Sequence, residues 1–189
     1  MAFRRRRSSA PPDPLGEVDP ALVPRRYRGP VDDALSARRQ FDQLVAGVRP
    51  GPLRDRLEAL SGRVDAGVLA VWGSARHAVE IERVLATLDP ERVSAELKRA
   101  RRDGADPAVV EPLAARFASV QRLLNTLDEV RERLPVLEAR LGTAVARTAE
   151  LTLTSSVATA PAELDALAGE LESLTVELHA LGAATTDLP

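Results

Sequence analysis

The chain has 189 residues, a net charge of −2, no cysteine, 44% apolar residues and only 3% aromatic ones. The charge excludes a strong overall pull toward nucleic acid or anionic membrane, and the missing cysteine excludes a disulfide framework and thiolate metal sites. A core of leucine, valine and alanine with few rings suits helix packing rather than a sandwich or barrel.

No run reaches the ~18–20 uninterrupted apolar residues of a membrane span. Lys98 is the single lysine among 26 basic residues, which points to a GC-rich, bacterial coding sequence. Residues 1–30 hold six prolines (11, 12, 14, 20, 24 and 30) and seven arginines against three acids. They read as a disordered basic Pro/Arg-rich leader. Pro11, Pro12, Asp13 and Pro14 fall where a secretory signal would need its apolar core.

Residues 31–189 read as one helical bundle. The first helix is expected over 32–48, opened by Asp32 and Asp33, with Ala34, Ala37, Phe41, Leu44 and Val48 on one face. Pro50-Gly51-Pro52 stops it. A second helix follows over 52–88, with Leu53, Leu57, Leu60, Val64, Val68, Val71, Ile81, Leu85 and Leu88 as its stripe. Residues 64–72 are apolar almost all round, Asp65 being the polar exception. Such a segment must be buried on every side, which requires at least three helices around it. Gly62, Gly67 and Gly73 each cost about 1 kcal/mol against alanine in a helix, a cost expected to be offset by close helix approach. Asp89-Pro90 opens a short helix over 90–102, ended by Gly104, and Asp106-Pro107 opens the next.

That next helix is expected over 107–151. Val120, Leu127, Leu134, Leu141 and Thr148 fall seven apart, as do Leu123, Val130, Leu137, Ala144 and Leu151. Pro135 breaks no part of this period, so a bend is expected there rather than an end. The last helix, over 159–182, repeats the pattern with leucine alone: Leu164, Leu171 and Leu178, then Leu167, Leu174 and Leu181. Two facing heptad series predict an antiparallel coiled-coil hairpin. With facing residue numbers adding to 308, Leu141 meets Leu167, Leu137 meets Leu171 and Ala144 meets Leu164, leaving Thr152 to Ser156 as the loop. The flanking charges suit the same register. Arg147 would face Glu163, Arg140 would face Glu170 and Arg133 would face Glu177. The opposite edge carries Leu124, Val145, Ala168 and Thr175, and is expected to pack on the 52–88 helix. The fold class is therefore all-α: an elongated antiparallel bundle with a C-terminal hairpin and an N-terminal leader.

Chemistry is sparse. His77 and Glu80 share a helix face, but the carboxylate–histidine pair lacks the second copy that bundle metal centres use. Ser74 beside Gly73 lies within a helix, not on a nucleophile elbow. No phosphate-binding glycine motif is present. Lys98, Arg99, Arg101 and Arg102 complement the C-terminal dipole of their helix and lack interleaved aromatics for nucleic acid. Trp72 reads as core. No catalytic residue, metal or cofactor is expected, and no nucleic-acid partner.

The expected function is a cytoplasmic, non-enzymatic scaffold or adaptor that binds another protein or itself. A second reading places the chain peripherally at the inner face of the membrane, with Arg4, Arg5, Arg6 and Arg7 in weak, salt-sensitive contact with anionic lipid. A third is a ligand- or metal-binding bundle using His77 and Glu80. From Glu150 to Pro189 there are seven acids and no basic residue, so a basic front and acidic back permit head-to-tail association.

Overall fold

The computed structural model describes residues 13–154 and 160–183, with side chains except at 154, 160–161, 174–175 and 177–183. Among these residues there are five α-helices and no strand: α1 (Arg25–Gly47), α2 (Pro52–Leu88), α3 (Pro90–Arg102), α4 (Pro107–Thr154) and α5 (Ala160–Ala183). A single 3-10 turn, Pro20–Leu22, precedes α1.

The local stop and start signals act as the residues dictate. Gly51 takes φ 153° between α1 and α2, and Gly104 takes φ 65° after α3. Asp89 is the one non-glycine residue with positive φ (51°) among those described. It ends α2 in the left-handed conformation that aspartate tolerates, and its side chain accepts the Arg92 amide at 3.1 Å to cap α3. Asp106 caps α4 in the same way, accepting the Ala108 amide at 2.8 Å. α4 runs on through Pro112 and Pro135 without ending.

The N-terminal boundary differs from the sequence expectation. α1 begins at Arg25, seven residues before Asp32, and takes Pro30 inside it. Val23, Tyr27 and Val31 are buried, and Leu15 and Val18 pack against the core. Residues 13–30 thus belong to the folded body, while residues 1–12 of the expected leader lie outside the described residues. The reason is tertiary. Burying Tyr27 and Val31 on one helix face recovers the cost, about 3 kcal/mol, of proline in a helix.

α2 and α4 form the antiparallel centre of the bundle: Glu82 meets Arg131, and Gly67 lies beside Leu141. α1 packs against both, antiparallel to α2 through Tyr27–Glu82 and Arg38–Asp65. α5 also packs against both, and among the described residues it does not touch α1. Three helices therefore surround α2, burying Val64, Val68, Val71 and Trp72.

One side of α2 stays open. A Cβ at Gly67 would sit 3.0 Å from Leu141 Cδ1, so this glycine does serve close approach. Gly62 and Gly73 do not, because a Cβ at either would meet nothing within 4 Å. The expectation of close packing at all three is corrected accordingly. Gly62→Ala and Gly73→Ala should each raise the unfolding free energy by ~0.5–1 kcal/mol, measured by chemical denaturation. A loss at either position would show that the exposed face is covered in solution.

Candidate interaction surface

The side chains with chemical potential are dispersed. His77 is half-buried on α2, and Glu80, one turn on, is exposed and paired with Arg76 at 3.9 Å. Among the described residues no three histidine or acidic side chains come together as a metal site. Ser74 is half-buried inside α2 and Trp72 is buried. Lys98, Arg99, Arg101 and Arg102 are exposed at the end of α3, where Arg99 pairs with Asp103 at 3.5 Å. Arg4, Arg5, Arg6 and Arg7 lie outside the described residues.

The hairpin residues come together, in a register different from the expected one. Leu127, Val130, Leu134, Leu137 and Leu141 of α4 are buried, with Leu164, Leu167 and Leu171 of α5. The side chains of Leu174, Leu178, Leu181 and Glu177 are outside those described. Arg147 donates to Glu170 at 2.7 Å, not to Glu163, and Arg133 pairs along its own helix with Glu129 at 2.6 Å. The 147–170 pair moves the facing numbers up by seven, one heptad. The helix ends agree, since α4 persists through Thr154 and α5 starts at Ala160 rather than flanking a loop at 152–156. Arg63 of α2 lies 3.9 Å from Glu172 on the other side of α5. A heptad-repeating seam cannot distinguish registers seven apart. The end of the repeat can, since the observed register buries Leu164 and Leu167 where the expected one would place Val157 and Ala160.

A second cluster carried no sequence signal. Glu82 on α2 accepts from Tyr27 at 2.6 Å and from Arg131 of α4 at 2.8 Å, and it also pairs with Arg26. Arg131 Nε donates to the Tyr27 hydroxyl at 3.3 Å, and the Arg26 guanidinium lies over the Tyr27 ring, 5.2 Å from its centroid. Burial pushes the Glu82 carboxyl up, but hydrogen bonds from Arg26, Tyr27 and Arg131 outweigh it and hold the group below the usual carboxylate range. This cluster ties α1, α2 and α4. Each carboxylate oxygen already accepts donors from the protein, which suits a fastening rather than a site for substrate. Arg38 makes a smaller version, joining Asp42 on α1 to Asp65 on α2.

The surface best suited to another molecule lies at the start of α4. α1 begins near Tyr27, level with Arg131. α2 reaches Arg131 at Glu82 and ends six residues later. Upstream of about residue 124, α4 therefore has α3 alone beside it, antiparallel, fastened by Arg116–Glu96 at 3.5 Å and the buried Val93 and Leu97. Val110, Phe117 and Leu124 occupy the heptad position of Arg131 and continue the seam that α1 covers further down. These three and Leu113 are half-buried, and Val109 is 52% exposed.

The chain matches no protein-family model, no curated protein and no solved structure. What it can do is therefore read from its own surfaces. Among the described residues no helix is long and apolar enough to cross a membrane. The two-helix arm of α3 and early α4 combines an incompletely covered apolar stripe with the exposed cations Lys98, Arg101 and Arg102 at its end.

Proposed function

We propose that this chain is a non-enzymatic helical adaptor, acting in the cytoplasm, that binds an amphipathic helix of another protein along the α3–α4 arm. The observation that supports this reading is the stripe Val110, Leu113, Phe117 and Leu124, which continues a core seam where only one neighbouring helix remains. Two helices leave part of each apolar face exposed, and a third completes the packing. The dispersed titratable groups and the self-satisfied Glu82 cluster fit a structural framework better than a reaction centre.

Phe117→Asp tests the assignment. The residue is half-buried on a two-helix arm, so thermal unfolding should shift by less than about 1.5 kcal/mol. Wild-type protein should capture a defined partner, identified by mass spectrometry and confirmed with the purified pair, and the variant should bind it at least ten-fold more weakly. Equal binding by both would remove the arm from the interface. Light scattering separates the related outcome: a wild-type dimer that Phe117→Asp turns monomeric would make the partner helix a second copy of the chain.

A further inference from the structure

We propose that the α4–α5 hairpin has two stable registers, one heptad apart, so that α5 can slide along the bundle by one step. The proposal does not depend on which face a partner uses. Three features ordinarily lock such a hairpin, and here two do not act while the remaining one acts only at the first turns of α5.

The first lock is a buried polar residue that needs a partner across the seam. Thr148 is buried on the seam, but its hydroxyl donates to the Ala144 carbonyl of its own helix at 2.8 Å. It is satisfied whatever stands opposite. The second lock is a sequence of layers of unlike size. In α5 the buried seam residues Leu164, Leu167 and Leu171 are all leucine, and a one-heptad slide carries Leu164 into the place of Leu171 while Val157 and Ala160 take the places of Leu164 and Leu167. The third lock is charge. Arg147 holds Glu170 at 2.7 Å, while Glu163 is exposed. The slide brings Glu163 to Arg147 and Glu170 to Arg140. It also brings Asp165 into the position from which Glu172 faces Arg63 of α2. The outer edge and the α2 contact thus repeat with the period of seven, and so does the seam except at the first turns of α5, where Val157 and Ala160 would take the places of Leu164 and Leu167.

The end of α4 offers little resistance. Its last turn holds Thr152, Leu153 and Thr154, and Leu153 is 86% exposed. Two β-branched residues and an unburied leucine lose little on unwinding. Ala168, with Leu164 and Leu167, sets the preference for the observed register. It is buried, and the slide puts Pro161 in its place. The shifted form is therefore the minor one. Seven residues at ~1.5 Å each move α5 by about 10 Å, so an event at one end of the bundle displaces the other.

The absence of cysteine from the chain makes the test direct. The full-length double variant Ala144→Cys with Leu171→Cys reports the observed register, and Ala144→Cys with Leu164→Cys reports the shifted one. Under mild oxidation the first pair should close completely. The second should close more slowly, as the minor form is trapped, and about two-fold more slowly again with Glu163→Gln added. A second pair that stays reduced while the first closes overturns the proposal, and so does failure of both to close. Should Leu164→Cys prevent folding, spin labels at the exposed Ala139→Cys and Ala166→Cys decide instead. Two separations differing by up to about 10 Å support the slide, and a single separation overturns it.

Discussion

Leu141→Ala is expected to lower the unfolding free energy by about 3 kcal/mol, seen as a fall of about 9 °C in Tm. Leu141 is 1% exposed and sits where α2 approaches closely, its Cδ1 3.0 Å from the place a Gly67 Cβ would occupy. Truncation removes the buried methyls and leaves a cavity between two long helices that cannot easily close. Val136 on the same helix is 54% exposed, and its truncation should change stability by less than about 0.5 kcal/mol. The two sites also predict a coupling. Gly67→Ala alone forces the Leu141 side chain to give way, whereas in the Leu141→Ala background the new methyl enters free space. The double variant should be more stable than the two single losses added together. Losses of equal size at Leu141 and Val136 would contradict the packing of α2 on α4.

Glu82→Ala should cost about 3 kcal/mol at neutral pH, because it leaves Arg26, Tyr27 and Arg131 without their shared acceptor. The Glu82 side chain is 16% exposed, so solvent screens the cluster only in part. The effect carries a pH signature. With the folded carboxyl below the ordinary range, its contribution is fully present above the unfolded carboxylate pKa, about 4.3. It is lost as pH falls through the depressed folded value. The stability curves of wild type and Glu82→Ala should therefore lie furthest apart near pH 7 and converge below about pH 4. Glu138 has the opposite sign. Burial, then the charge of Asp33, pushes its carboxyl up, so its ionisation opposes folding increasingly as pH rises above the unfolded carboxylate pKa, and fully above the raised value. Glu138→Gln should leave acid stability unchanged and raise it modestly at pH 7. A constant offset between wild type and Glu82→Ala from pH 3 to 8 would mean that the cluster acts by packing rather than charge.

The helix boundaries most legible in the sequence were those made by neighbouring residues. Pro50-Gly51-Pro52, Asp89-Pro90 and Asp106-Pro107 each place their own turn or cap within a few residues, and the structure starts α2, α3 and α4 there. The beginning of α1 was not legible, since Pro24 and Pro30 carry the local signal of a break. What extends the helix back to Arg25 is the burial of Tyr27 and Val31 against residues far along the chain. The Glu82 cluster was hidden for the same reason. Its members lie 55 and 49 positions apart in pairs, and no periodic pattern marks them.

Composition and heptad spacing by themselves determined that the chain is helical, which residues of each helix turn inward, and that the segment around residue 68 needs several neighbours. These follow from where apolar side chains fall along a 3.6-residue turn, a property of each helix alone. Tertiary structure alone decided where α1 begins, which glycines serve close approach, and which of two equivalent registers α5 adopts. Those outcomes depend on how the helices pack on one another. A repeat of seven is indifferent to a shift of seven until the end of the repeat breaks the tie, where Leu164, Leu167 and Ala168 are buried in the observed register.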